Sequence, residues 1–473
     1  MTSRRLPLFL LLLLLASACR VGQNYTQPAL PIPPQYRTAS GPLPTTDSTT
    51  LADVAWRSLF QDPALQQLID SALVHNLDLQ VALRNLESAD QLLRQARAAY
   101  VPTVAAQVGA TSNTASRNSL GGISAEQFVG TRTVRDYNAG LTAAWELDVW
   151  GRLRRLQEAA RADYLQTVEA RKAVQTQLVA QVAQGYYDLL RLDAQLAIAH
   201  RNTALNDSTL RLLRLQWTAG LVTTLAVDQA TAQRQTAALL VPQLEQGIIE
   251  QENALRVLTG QAPAAVARAA TDAPLAPAGP LAVGVPVALL SRRPDVRARE
   301  LALVAANART GAAQASLYPA LMLTGTTGLN SFVLSNWLAV PGGVFTGFGV
   351  GLAQPLLQRR QLRTQLELAR LDQERAALAF RQVVLTAAGE VSSALIRVEK
   401  TQQQATLAAA RVDTLHQATR HATLLFRSNL ATYLEVLTAQ GSALQSQLSL
   451  VDIRRQQSGA VVELYRALGG GWR

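Results

Sequence analysis

The feature that most limits what this chain can fold into is that it is written twice. The stretch HNLDLQVALRNLESADQLLRQARAAYVPTVAAQVGA, from His75 to Ala110, returns as RRPDVRARELALVAANARTGAAQASLYPALMLTGTT, from Arg292 to Thr327. At one constant offset Leu73 falls on Leu290, Asp78 on Asp295, Ala89 on Ala306, Ala96 on Ala313 and Pro102 on Pro319. Later, WTAGLVTTLAVDQA (Trp217 to Ala230) lies over FRSNLATYLEVLTA (Phe426 to Ala439), and Gly260 then falls on Gly469. Two copies of one supersecondary unit, each over 200 residues, therefore fill most of the chain, and whatever one copy forms the other must form as well.

Each copy has the same order of elements. A helical stretch ends before Pro102 or Pro319, because proline cannot continue a helix and pushes the preceding residue into extended conformation. Alternating, Gly- and Thr-containing sequence follows, with period 2, and then very long helical sequence. The first repeat, 51–270, reads as helices over 63–100, 151–218 and 222–259 with strands over 102–113 and 137–148. The second, 271–473, reads as helices over 286–317, 360–427 and 431–468 with strands over 319–330 and 342–355. The loops between the strands, 114–136 and 331–341, are polar or contain glycine, and Pro242 is expected to break or kink its helix. An unbroken helix over 151–218 would reach on the order of 100 Å at about 1.5 Å per residue. Charges such as Arg152, Glu158, Asp163, Glu169 and Arg191 exclude it as a transmembrane helix and point to coiled-coil-like packing against other long helices.

The strands are each about ten residues, which suits a tilted membrane-spanning strand. Four strands cannot close a barrel, and an open edge in lipid leaves unpaired backbone groups. The sheet must stay out of the membrane or be completed by other chains. Three chains would give 12 strands, and physics alone permits other multiples.

The N-terminus reads as an export signal over 1–18: Arg4 and Arg5, an apolar run from Leu6 to Leu15, and the small residues Ala16-Ser17-Ala18. The apolar run is far shorter than the roughly 20 residues of a spanning helix. Ala16-Ser17-Ala18 suits ordinary signal peptidase; it also resembles a bacterial lipobox, although Leu15 lies one place early. The sole cysteine, Cys19, has no disulfide partner within the chain and stands at the cleavage point, so we expect it to carry acyl chains such as palmitate. Arg20 follows, rather than the Asp that retains bacterial lipoproteins at the inner membrane, which favours the outer membrane. Residues 19–50, with Pro28, Pro31, Pro33, Pro34 and Pro42, read as a lipid-anchored, proline-rich tether.

The chain carries 44 basic and 33 acidic residues, a formal charge of +11 that falls to +9 without Arg4 and Arg5. The arginines are dispersed and no basic patch is interleaved with aromatics, so a nucleic-acid partner is not expected. Enzyme signals are thin. His75, His200, His416 and His421 form no metal spacing, and Gly347-Phe348-Gly349-Val350-Gly351 alternates like a strand rather than cradling phosphate. Trp145, Glu146 and Asp148 read as a strand end with an interfacial aromatic, and Pro294-Asp295 as a helix start. We expect neither catalysis, metal nor cofactor beyond the lipid on Cys19.

Four stretches together resemble the TolC-like outer-membrane factors of tripartite efflux pumps, in the OprM/NodT-like lipoprotein branch. They are CRVGQNYTQP at the mature start, LTAAWELDVWGRLRR (Leu141 to Arg155), SRRPDVRARELALVAANARTGAAQASLYPALMLTG (Ser291 to Gly325) and GVGLAQPLLQRRQLR (Gly349 to Arg363). The resemblance implies a mostly α chain with a β-barrel part: a homotrimer forming a 12-stranded outer-membrane barrel continued by a periplasmic α-helical barrel. It implies a Gram-negative outer membrane, a periplasmic adaptor and an inner-membrane transporter of the resistance-nodulation-division type. The function implied is passive conduction of drugs or other small molecules; metal-ion efflux, type I protein secretion or a non-pore coiled-coil envelope lipoprotein are the alternatives. By the same resemblance the turns at Gly220, Leu221 and Thr223, and at Asn429, Leu430 and Thr432, would meet the adaptor, and Glu435 would ring a periplasmic gate. Two places depart from the family pattern: Leu357 to Arg360, where Phe and Gly are usual, and Asn429, where Gly is common.

Overall fold

Runs of Ala, Leu, Gln and Arg, all good helix formers, produce helices of matched length in the two copies. The computed structural model describes residues 21–30, 35–37, 50–268 and 286–473; Cys19 and the signal segment lie outside them. In chain order the main elements are α1 (Pro63–His75), α2 (Leu77–Ala98), β1 (Thr103–Thr114), α3 (Leu120–Val129), β2 (Thr133–Leu147), α4 (Arg152–Thr218) and α5 (Thr224–Leu258). The second copy continues with α6 (Pro294–Ala315), β3 (Ala320–Ser331), β4 (Val344–Ala353), α7 (Gln361–Arg427) and α8 (Tyr433–Ala467). The helices α2 and α6 are both 22 residues, α4 and α7 both 67, α5 and α8 both 35. The offset between equivalent residues is 217 up to the strands and 209 after them, so the strand region of the first copy is eight residues longer.

Several boundaries differ from the sequence reading, each for a local reason. The helix expected over 63–100 is two helices, because Asn76 takes an extended conformation and its side chain caps the second, accepting from Leu79 N at 2.9 Å. The helix expected over 286–317 is likewise divided. A short turn, Leu289–Arg292, precedes α6, and Arg293 is held extended by the proline that follows it. The expected loop over 114–136 contains α3, capped by Ser119, which accepts from Gly122 N, and stopped by Gly130 in the left-handed region. α5 runs through Pro242, which lies exposed, where water can take the carbonyl bond that its missing N–H cannot make. The proline-rich segment is not a free tether at Gly22 to Asn24. Arg155, buried against it, donates to Gly22 O at 3.1 Å and Asn24 Oδ1 at 3.0 Å, and Asn307 Nδ2 donates to Gln23 O at 3.1 Å.

The four strands form one antiparallel sheet in the order β1-β2-β3-β4, so the hairpin of each copy joins the other through β2 and β3. The chain divides into two compact units that cut across the duplication. One holds the sheet, with 87–165, 300–378 and the N-terminal segment; the other holds 29–86, 166–299 and 379–473. Within the second unit two apolar clusters are made by small residues of α5 facing larger ones of α4, α7 and α8. Ala226 and Ala230 pack with Leu210, Leu213, Phe426, Val436 and Leu437, and Ala237 packs with Ile198 and Leu444. Among the described residues no helix is long and apolar enough to cross a membrane.

Candidate functional site: the sheet and the helical tips

The pairing register sorts the sheet into two chemically different faces. Val104, Val108, Leu141, Leu323, Val350 and Leu352 share one face, which is apolar and largely exposed. The other carries Gln107, Asp136, Asn138, Thr142, Thr326 and Asn330, with Asn330 Nδ2 donating to Asp136 Oδ1 at 2.6 Å. Phe345 is the aromatic exception on the polar face: it lies over Gly140 and Gly328, where a Cβ would stand 3.3 and 2.9 Å from its ring. Beta strands put alternate residues on opposite faces, so a sheet of this pattern separates lipid from water. Its outer strands, β1 and β4, each pair on one side only.

Aromatic residues mark the end of the sheet where helices begin. Trp145 Nε1 donates to Tyr100 O and Trp150 Nε1 to Pro319 O, each at 2.8 Å, and the Trp150 and Tyr318 rings stack 5.0 Å apart. Such rings collect at a membrane interface. The carboxylates here serve structure, as the sequence reading had it: Asp148 accepts from Leu153 N and Arg154 N at 2.8 and 2.9 Å, capping α4, and Glu146 holds Arg152 in a bidentate pair.

The two helical turns are built alike. Gly220 (φ 72°) and Asn429 (φ 57°) both occupy the left-handed region. Leu221 N donates to Gln216 O and Leu430 N to Leu425 O, both at 2.8 Å, while Gly220 N reaches Trp217 O and Asn429 N reaches Phe426 O. This is the Schellman arrangement, in which the left-handed residue lets the chain satisfy the last helical carbonyls. Thr223 and Thr432 begin the returning helices in equivalent extended conformations. The shared apolar cluster brings the two turns together, with Val222 and Tyr433 against it. Leu221 and Leu430, 73% and 76% exposed, point away from that cluster as a matched pair.

Glu435 distinguishes the second tip. Its carboxylate accepts from Thr432 N and from Thr432 Oγ1, the latter at 2.7 Å, closing a capping box on α8. These bonds to Thr432 hold the carboxyl below its ordinary range. The equivalent residue of the first copy is the buried Ala226, so Thr223 has no such partner. Glu435 thus has a local structural role that the gate reading did not assign to it.

Two further features carry more than the sequence reading assigned to them. Asn76 Nδ2 donates to Leu258 O at 2.9 Å, and at the equivalent place Arg293 Nη1 donates to Ala467 O at 3.2 Å. Each therefore ties the start of its 22-residue helix to the last carbonyl of its own 35-residue helix. Arg293, 4% exposed, also holds Asp295 in a bidentate pair and Glu390 at 2.8 Å, so the Arg-Arg-Pro-Asp cluster is a buried hub as well as a helix start. The second feature is the pair of turns leading from sheet to long helix. Gly151 (φ 78°) accepts the first helical bond of α4 from Arg155 N, and Arg360 (φ 68°) does the same for α7 from Thr364 N. Arg359 is left-handed as well, with φ 47°. For a residue with a Cβ this conformation costs roughly 1–2 kcal/mol. The only signal in sequence was the missing glycine between Leu357 and Arg360.

With this geometry in view, comparison with known proteins is direct. The outer membrane efflux protein family matches residues 68–261 and 285–470. The solvent efflux pump outer membrane protein SrpC of Pseudomonas putida is 31% identical, the match covering 100% of this chain and 99% of that one. The probable outer membrane lipoprotein SilC of Salmonella typhimurium is 28% identical, over 97% of each. The open-state crystal structure of the MtrE outer membrane channel of Neisseria gonorrhoeae superposes with a TM-score of 0.84 at 25% identity, covering 96% of this chain and 99% of that one. The chain belongs to the outer membrane efflux protein family. It is an outer-membrane efflux channel component with the TolC-like fold, working with an adaptor and an inner-membrane pump.

Proposed function

We propose that three copies of this chain close their sheets into one 12-stranded barrel through which small organic molecules leave the cell passively. The observation that carries this is the sheet itself: four strands, one apolar and one polar face, and two edges that each pair on one side only. In lipid an unpaired edge costs several kcal/mol per backbone group, and joining β4 of one copy to β1 of the next removes that cost. The polar face then lines a water-filled lumen. No bond is made or broken, and the driving energy comes from the inner-membrane transporter, of the resistance-nodulation-division type. Cys19 carries the lipid that helps to sort the chain to the outer membrane, a reading supported by the lipoprotein relative. Small organic cargo accords with the solvent efflux relative.

The exposed tips, with Gly220, Leu221, Thr223, Asn429, Leu430 and Thr432, receive the adaptor. Glu435, turned onto its own helix cap, places three carboxylates at the same end and biases ion flow there. The decisive experiment is purification of the full-length protein followed by planar-bilayer recording. An SDS-resistant, heat-modifiable trimer that conducts ions is expected; a monomer without conductance overturns the reading. Gly220→Trp should leave that trimer intact and abolish pump assembly, whereas unimpaired efflux removes the tips from docking. In Glu435→Ala an unchanged current and cation preference removes Glu435 from the gate. With Cys19→Ser behind an ordinary signal peptide, some functional trimer should still reach the outer membrane.

A further inference from the structure

The turns that lead from the sheet into α4 and α7 are equivalent in position and opposite in chemistry. At the first, Asp148 caps the helix, Trp150 is anchored to Pro319 O, and glycine takes the left-handed place at Gly151. At the second, the same three places hold Leu357, Arg359 and Arg360. Leu357 and Arg359 do not do the jobs of their counterparts, and Arg360 fills the place of Gly151 only at a steric cost. Leu357 cannot cap a helix, and an arginine in the left-handed region is strained where glycine is not. Leu356 and Leu357 are 87% and 97% exposed, so they contribute nothing to the core of this chain. Among the described residues neither Arg359 nor Arg360 has a carboxylate partner, and the carboxylates nearest this end are engaged, Glu146 by Arg152 and Asp148 by the α4 backbone. A second copy would relieve exposure of the leucines but gives no reason for two adjacent strained cations.

The position of this turn identifies what does. Pro355, Gln358 and Leu362 line one cavity of about 240 Å³ together with Trp150 and Tyr318, the stacked aromatic pair at the helix end of the sheet. The turn also follows directly on β4, the strand that carries Val350 and Leu352 on the apolar face. Exposed leucines beside an interfacial aromatic belt, followed by paired guanidiniums, match the order acyl chain, interface, phosphate met on leaving a bilayer. We propose that the Leu356–Arg360 turn is a docking site for anionic phospholipid in the inner leaflet of the outer membrane, the leucines entering the acyl layer and Arg359 and Arg360 binding the headgroup phosphate. This rests on the outer-membrane channel reading above. The strained turn persists because its charges have a ligand that glycine would not hold.

Native mass spectrometry of the full-length protein, released from detergent after incubation with equal phosphatidylglycerol and phosphatidylcholine, tests the site. The wild type should retain phosphatidylglycerol by roughly thirtyfold over phosphatidylcholine, the order expected of two arginines at an anionic surface. The Arg359→Gln/Arg360→Gln protein should remain a trimer and lose most of that preference. Arg360→Gly, which copies Gly151, should keep the fold and lose part of it. An undiminished preference in the double variant overturns the proposal, as does displacement of the lipid by millimolar inorganic phosphate, which assigns the arginines to a free anion. Dissociation of Leu356→Ser/Leu357→Ser to monomers with unchanged lipid preference overturns it too, since the leucines are then covered by a neighbouring copy. Conductance of the same wild-type preparation is read separately: a conducting trimer without lipid preference sinks the site alone, and a non-conducting monomer sinks the channel reading.

Discussion

Where the first copy turns into its 22-residue helix it places Asn76, and where the second does so it places Arg293. Both donate to the last carbonyl of the returning helix, Leu258 in one case and Ala467 in the other. Asn76 is neutral and also accepts from Leu79 N, so one small side chain satisfies two helix ends. Arg293 is charged and buried, and it draws in Asp295 and Glu390, with Arg466 sharing Glu390 at 3.2 Å. The glycines after these carbonyls pack alike: a Cβ on Gly260 would meet His75 O at 2.3 Å, and one on Gly469 would meet Arg292 O at 2.7 Å. One backbone joint has thus been kept while its chemistry diverged from a neutral amide hydrogen bond to an ion network. Duplication preserves geometry more strictly than residue type.

The largest test of that contrast is Arg293→Ala. It leaves a helix carbonyl and two carboxylates without their shared donor, and we expect a loss of about 3 kcal/mol, reduced from the fully buried case because Asp295 and Glu390 are partly exposed. A fall in the denaturant midpoint of the second unit checks it, and Arg293→Asn should recover part of the loss by restoring the first copy's bond. Asn76→Ala removes one carbonyl bond and one cap, and about 1–2 kcal/mol is expected. Amide exchange at the end of α5 should then rise while that at the end of α8 stays unchanged.

Acid should separate the joints further. Burial alone would raise the Asp295 pKa, but the Arg293 hydrogen bond and charge outweigh it and hold the carboxyl below its ordinary range. A depressed carboxyl contributes stability that is complete above its unfolded value, about 3.9, and is lost as pH falls through the lower folded value. Exchange near Ala467 should therefore quicken below about pH 4 while exchange near Leu258, tied by Asn76, does not. The smallest effect is expected from exchanging the tips. Gly220→Asn should cost less than about 1 kcal/mol, because asparagine tolerates the left-handed region better than other residues with a Cβ. Asn429→Gly should be neutral or slightly favourable, read as unchanged trimer melting.

Much of this architecture was legible because its signals were long. Repeats over 200 residues, prolines at helix ends and period-2 strands located the four strands and the long helices to within a few residues. What escaped was short or depended on distant partners. The break at Asn76 hides inside a helical pattern, because asparagine there is recognisable as a cap only once Leu258 is seen opposite it. α3 was masked by Gly121 and Gly122, which lower helix propensity and read as loop. Pro242 signalled a break or a kink, and of these the break is avoided at its exposed site. The tips were legible by their equivalent positions in the two copies, whereas the bonds from Thr432 that make Glu435 a helix cap were not. The Arg359–Arg360 strain was legible only as the absence of glycine, and absence carries no direction.

The matched lengths of 67 and 35 residues have a consequence for counting. In the proposed trimer, the helical hairpins of the two copies present six nearly interchangeable tips, so a partner approaching them meets quasi-six-fold repetition. The eight residues that the first copy adds between its 22- and 67-residue helices, where α3 is inserted, do not share that repetition. Ligands or antibodies that grip the strand-connecting loops can therefore find only three equivalent places on the same molecule. One gene duplication, kept in register in the helices and let slip in the strand region, would give the proposed trimer two different symmetries for two different kinds of partner.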